Sequence, residues 1–367
     1  MTSRLVGVWL LLATACVLTT DVDYGNEAVF RAKLSVDVGK PYTAGIVNYN
    51  QLLTYIQKQL VNYNASSLTS LLKPIDNETL QASANFVTNM KQASVNANQI
   101  VKKIDDQMVW LSNEVSKTNT NCAQAQQRVQ QANTQVQSLT TDLNTAIQAA
   151  NQAQKNLDTA QAAVEQAQRD LDDARYHCLG RKKRSWLGDV AHKIGRGIMR
   201  GVCEGVNQVS GSIDNRKDER NRRETERNNA VAHRDQVQAE LNAAKAKLAA
   251  EKAQLAQYQA QLAALQAKLA QLKSKRNKTN DVDAKMKKTL AYIDTMMADA
   301  QEINFNVDIG YFLDVNSICK PLFEVGTELS NLVGQKADSH FLPQISAAEI
   351  ANLKQKVDAI RAATKPH

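Results

Sequence analysis

Chain breakers are scarce in this sequence. Five prolines and 14 glycines occur in 367 residues, and where they fall matters more than how many there are. No glycine lies between Gly45 and Gly180 or between Gly211 and Gly310, and no proline lies between Pro74 and Pro321. Because these residues interrupt regular structure, two very long stretches are left free to form continuous helix. Aromatics make up only 5% of the chain, thin for an ordinary globular core of this size. That shortage, with abundant Ala, Gln, Leu and Lys, indicates long helices. A mean hydropathy of −0.42 excludes a polytopic membrane protein.

Catalytic and ligand-binding signatures are also missing. The five histidines, His177, His192, His233, His340 and His367, form no His-x-x-x-His or His-Glu-x-x-His pair. There is no Walker loop, dinucleotide fingerprint or Gly-x-Ser-x-Gly elbow. The cysteine spacings fit no zinc site. The sequence therefore reads as a non-enzyme without metal or cofactor. Net charge is +8, but the basic residues concentrate in one short segment without interleaved aromatics, which argues against nucleic acid as a partner.

What is present begins with Arg4 and an apolar run from Leu5 to Leu18, followed by polar Thr19, Thr20 and Asp21. This pattern reads as a secretory signal peptide over residues 1–20, so the protein is expected to be extracellular. A cut beyond Cys16 leaves Cys122, Cys178, Cys203 and Cys319, which allow three pairings in an oxidising compartment. Sequons at Asn64, Asn77 and Asn277 would make the secreted chain a glycoprotein.

The two uninterrupted stretches carry a sustained 3-4 apolar frame. In the first it runs from Val101, Ile104, Met108 and Leu111 through Cys122, Val129, Ala132, Val136, Leu139, Leu143, Ala146, Ala150, Ala153, Leu157, Ala160, Val164, Ala167, Leu171 and Ala174 to Cys178. In the second it runs through Ala230, Val237, Leu241, Ala244, Leu248, Leu255, Tyr258, Leu262, Leu265, Leu269 and Leu272 to Met286, Leu290, Ile293 and Met297, interrupted by Arg234, Glu251 and Arg276. A repeat this long is a coiled-coil seam. One seam is rich in Ala and the other in Leu, so large side chains face small ones. A Gly-rich segment joins the stretches, which makes them antiparallel about a midpoint near residue 190. The mixed-charge run Asn215-Arg216-Lys217-Asp218-Glu219-Arg220 reads as a solvated helix face.

The expected fold is all-α, a long antiparallel coiled-coil hairpin projecting from a small helical base. Its parts are residues 21–78 of the base, a first long helix over 79–178, a tip over 179–211, a return helix over 212–300, and the rest of the base over 301–367. A 100-residue helix would measure roughly 150 Å. Alternating patterns over Glu27–Val38 and Ile303–Val315 suggest a two-stranded β element in the base.

The tip carries the most distinctive signals. Arg181-Lys182-Lys183-Arg184 before Ser185 fits a furin-type site, since such proteases have acidic subsites for consecutive basic side chains in an extended loop. Cys178 and Cys203 flank it, opposed across the midpoint, and their bridge would hold the cut chains together. Cys122 would then pair with Cys319 by elimination, with intermolecular bridging as the alternative. Beyond the cut, Trp186, Val190, Ile194, Ile198 and Val202 form one apolar stripe, with Leu187 and Met199 beside it, suited to a membrane interface. Residues 179–205 hold seven Lys/Arg against two Asp/Glu, which attracts anionic headgroups. Gly197, Gly201 and Gly205 share a face of the kind that lets membrane helices pack closely. Interior glycines cost about 1 kcal/mol each in a helix, so the segment is expected to be poorly ordered in water.

A basic cleavage site, then a Gly-rich apolar segment, then a heptad helix resembles class I membrane-fusion proteins. The long hairpin with an apolar element at its end is similar to α-helical pore-forming toxins, and the segment itself resembles amphipathic antimicrobial peptides. These resemblances imply a secreted, protease-activated toxin or defence effector acting on an anionic membrane surface, with a processing protease and copies of itself as partners. The alternatives are a structural coiled-coil protein and an antimicrobial-peptide precursor.

Overall fold

In a computed structural model the described residues are 22–61, 77–184, 194–300, 310–334 and 339–364. They are helical, with α1 at Glu27–Leu34, α2 at Lys40–Val61, α3 at Asn77–Arg184, α4 at Ile194–Ala300, α5 at Lys320–Val333 and α6 at Ala347–Thr364. The chain divides into two compact units. Unit 1 comprises Met1–Thr118 and Gln261–His367, and unit 2 comprises Asn119–Ala260.

The expected β element is not there. Asn26 caps α1 by accepting from the Ala28 and Val29 amides, and the chain then stays helical through Val61. Over Glu27–Val38 the sequence satisfies two periods at once. Burial selects Phe30, Leu34 and Val38, four residues apart, whereas Val36, which alternation would bury, is 50% exposed. Residues 303–309 lie outside the described residues, and Val315–Cys319 is a helical turn.

Two π-helical turns, Ser35–Gly39 and Val315–Cys319, each lead into a Lys-Pro pair, Lys40-Pro41 and Lys320-Pro321. A proline inside a helix offers no N–H and crowds the carbonyl four residues back; a wider turn just before it eases that conflict. At the first turn the deprived carbonyl is that of Asp37. The Asn96 side chain on α3 supplies the missing donor, with Nδ2 2.6 Å from the Asp37 oxygen.

Among the described residues, the buried aromatics gather in the unit 1 core. Tyr49 and Phe86 pack at 5.4 Å between ring centres, and Phe312 meets Phe86 edge-on at 6.1 Å. The buried Tyr49 hydroxyl donates to the Phe312 carbonyl at 2.8 Å, and that of Tyr42 donates to the Leu322 carbonyl. Each ties α2 to the C-terminal elements, and burial drives both phenol pKa values upward. Gly334 ends α5 in the left-handed region, φ 72°, where a side chain would also collide with Arg31.

Within unit 1, α3 and α4 pair antiparallel. Lys91 meets Asp294 at 3.1 Å, the buried Ser94 hydroxyl donates to Asp283 at 2.6 Å, and Arg276 Nε donates to Asp105 at 2.9 Å. Residues Val22–Asn26 form a strap across this pair. Gln107 of α3 donates to the Val22 carbonyl and accepts from the Tyr24 amide. From α4, Lys268 bonds Asp23 at 3.1 Å. Lys275, only 10% exposed, bonds Glu27 at 2.9 Å and the Tyr24 carbonyl at 3.1 Å, and lies over the Phe30 ring. The hydrogen bond from Lys275, and then that from Arg31, hold the Glu27 carboxyl below its ordinary pKa.

Replacing Asn96 by Ala should lower the stability of unit 1 by about 1–2 kcal/mol, the cost of stranding a carbonyl. Pro41→Ala in the same chain should recover part of that loss by restoring a backbone donor. Urea unfolding of the single and double variants measures both.

Candidate functional site

Unit 2 is built from facing stretches of α3 and α4. On α3, Ala132, Ala146, Ala150, Leu157, Ala167 and Leu171 are buried, and Val129, Val136, Leu139, Leu143, Ala153, Ala160, Val164 and Ala174 are half-buried. On α4, Val237, Leu241 and Ala244 are buried, and Leu248, Leu255 and Tyr258 are half-buried. The predicted 3-4 frame is the contact seam. Two arginines bond across it. Arg128 Nε meets Glu251 at 2.9 Å and its Nη2 donates to Gln254 at 3.4 Å, and Arg216 Nη1 donates to the Ala163 carbonyl at 3.0 Å. These pairs are centred near residue 190, as are those of unit 1. Glu251, read as an interruption, is tolerated because Arg128 pairs with it where it is 17% exposed.

The helices reach further toward the turn than expected. α3 ends at Arg184 rather than Cys178, and α4 begins at Ile194 rather than Ser212. In the sequence the apolar frame continues back from Ile213 through Val209, Val206 and Val202, which accounts for helix where the glycine count argued for disorder. Arg181, Lys182, Lys183 and Arg184 form the last turn of α3 instead of an extended loop. Ser185, Trp186, Leu187 and Val190 lie outside the described residues. Ile194, Ile198, Met199 and Val202 stand on helical backbone in α4, as do Gly197, Gly201 and Gly205, four residues apart on one face. The side chains of 177–184 and 194–209 lie outside the described residues, so the Cys178–Cys203 pairing does too.

The nearest described contacts to the turn form a small apolar cluster, Ala167, Leu171 and Ile213. Further from the turn the seam changes character. Stepping back from Val237 by threes and fours gives Arg234, Ala230, Arg227, Arg223, Arg220 and Arg216. Four of these arginines are half-buried and Arg216 is exposed. Of the charged run expected to be a solvated face, residues 215–218 are exposed, and Arg216 and Arg220 also fall on the frame's spacing. The signal was in the sequence: the frame lands on these arginines without a break, but reading for apolar residues alone passes over them.

The partners of Arg220, Arg223 and Arg234 lie on α4 itself. Arg223 bonds Glu219 at 2.8 Å and Glu226 at 2.9 Å, which raises its pKa, and Arg222 also bonds Glu219. These bonds, that from Arg222 first, hold the Glu219 carboxyl below the usual range. Arg220 bonds Asn221, and Arg234 bonds Asp235. Arg227 Nε is buried and unpartnered.

The expected Cys122–Cys319 bridge does not form, and both thiols are free. Cys122 sits half-buried on α3, whereas Cys319 is fully buried in the unit 1 core, where desolvation pushes its thiol up to about 11. Of the sequons, Asn64 lies outside the described residues, and Asn77 and Asn277 are exposed on helices. Thr279 of the last sequon is fully buried and donates to the Lys275 carbonyl. Among the described residues, no helix is long and apolar enough to cross a membrane, and no group of three His, Cys, Asp or Glu could hold a metal ion.

No protein-family model matches the sequence, and no curated protein matches it either. Among solved structures, it is similar to the SmhB pore of the tripartite alpha-pore forming toxin Smh from Serratia marcescens. That match has 10% identity and a TM-score of 0.41, covering 91% of this chain and 87% of that one. It is also similar to the pre-pore AhlB of the tripartite alpha-pore forming toxin AHL from Aeromonas hydrophila. There the identity is 12% and the TM-score 0.41, covering 89% of this chain and 91% of that one.

Thiol labelling separates the two free cysteines. In a Cys178→Ser, Cys203→Ser chain, a maleimide should label Cys122 in the folded protein and Cys319 only after denaturation, since the thiolate is the reactive form and burial suppresses it. Mass spectrometry of the labelled peptides reads the result.

Proposed function

We propose that this is a secreted, protease-activated, membrane-active protein that works through the turn of its hairpin. The observation that carries the reading is the α3–α4 register. Pairs from Lys91–Asp294 to Arg216–Ala163 are centred near residue 190, and the four basic residues end α3 on one side of it, with the basic, glycine-rich start of α4 on the other. A cut after Arg184 would free an end that begins Ser185-Trp186-Leu187 and continues as an amphipathic helix. A furin-type protease needs extended backbone, so the last turn of α3 must unwind. Gly180, in that terminal stretch, costs a helix about 1 kcal/mol against Ala and favours unwinding.

Carried on to the turn, that register would bring Cys178 and Cys203 to matching levels. A bridge between them would retain the cut chains as one molecule, closing a loop worth roughly 3–4 kcal/mol in the chain-entropy model. Each basic residue of residues 179–205 that nears an anionic surface adds about 1 kcal/mol to the attraction. Small-residue spacing at Gly197, Gly201 and Gly205 allows copies to pack closely once in lipid.

Treatment with a furin-type protease should give one band on a non-reducing gel and two on a reducing gel. The cut protein should release dye from anionic liposomes, while uncut protein and an Arg181→Ala, Arg184→Ala variant should not. Cut protein that leaves anionic liposomes intact refutes the reading.

A further inference from the structure

We propose that the arginine-lined seam from Arg216 to Arg234 is a built-in point of separation, where α3 and α4 part before any other portion of unit 2 as the turn enters a membrane. This rests on the membrane-active reading above.

The two halves of unit 2 are held by different forces. From Val237 toward Tyr258, α4 buries aliphatic side chains against α3, and Arg128–Glu251 ties the helices directly. From Arg234 to Arg216 the same frame positions hold arginines. An arginine covers an alanine-rich face with its stem but keeps its charged head in water, so it contributes less apolar burial than a leucine there. The guanidinium bonds do not hold the helices together either. Those of Arg220, Arg223 and Arg234 go to Asn221, Glu219, Glu226 and Asp235, all on α4. Arg216 alone reaches across, to one backbone carbonyl.

Among the described residues, separation therefore breaks no ion pair between the helices in this half, and it returns the buried, unpartnered Arg227 Nε to water. The pairs within α4 persist, at the three- and four-residue spacings that support an isolated helix. What keeps this half closed is the small cluster of Ala167, Leu171 and Ile213 on the turn side, together with the arginine stems over the buried Ala146, Ala150 and Leu157. Displacing that cluster releases the seam as far as Val237, where the aliphatic zipper stops it.

Hydrogen exchange of the intact protein in solution tests the seam without any membrane. Amides of 146–171 and 213–234 should exchange about tenfold faster than those of 122–143 and 237–258. Equal rates in the two halves overturn the proposal. An Arg220→Leu, Arg223→Leu, Arg227→Leu variant, which extends the aliphatic zipper, should slow exchange in the first pair of segments by about tenfold. After cleavage it should leak anionic liposomes at about a tenth of the native rate, whereas Lys217→Leu, Arg222→Leu, which removes charge outside the seam, should leak normally. A triple variant that leaks at the native rate overturns the role of separation in membrane action. Cleaved native protein that does not leak refutes the membrane-active reading, and the exchange contrast still judges the seam.

Discussion

A seam of alanines and leucines resists sliding only weakly, because a slip of seven residues exchanges one leucine for another and leaves burial almost unchanged. The register of α3 against α4 is therefore held by polar contacts inside the apolar frame. In unit 1, the buried Ser94 hydroxyl of α3 bonds Asp283 of α4, and Arg276 of α4 bonds Asp105 of α3. In unit 2, Arg128 bonds Glu251. Each pair is worth modest net stability. A slipped alignment, however, would leave the 17% exposed Glu251 in the seam without Arg128, and that penalty favours the native alignment.

The same register organises unit 1. The strap of Val22–Asn26 is gripped by Gln107 from one helix and by Lys268 and Lys275 from the other, so it seats only when these side chains lie at one level. Asn96 reaches Asp37 on the same condition. The two Lys-Pro turns show how backbone chemistry is reconciled with a continuous helix, through a wider turn and, at the first of them, a borrowed side-chain donor.

Much of this was legible in the residues themselves. The 3-4 frame marked the aliphatic seam of unit 2 position by position, and the Gly-rich segment between the two stretches marked where the chain turns. The strands were misread because Phe30, Leu34 and Val38 fit both a period of two and a period of four. Asn26 as a cap was the signal that separates the two readings. The lengths of α3 and α4 were underestimated because helix cost was counted glycine by glycine and set above the apolar stripe that the same residues carry through Val202, Val206 and Val209. The arginine seam was missed for a related reason. A heptad position is defined by spacing, and Arg220 occupies one as fully as Leu241 does. Pairing Cys122 with Cys319 by elimination presumed that every cysteine must be bridged, and nothing in their local residues required it.

The common midpoint also constrains how the molecule can change over time. A residue added to one arm of the hairpin, without a counterpart in the other, would throw Asp283, Glu251 and Arg276 out of line with their partners all at once. Tolerated length changes must come as matched heptads on both arms, lengthening or shortening the pair in steps of about 10 Å. Relatives separated by long divergence should then differ in arm length by whole heptads while the polar pins stay level, so the hairpin is inherited as a graduated ruler.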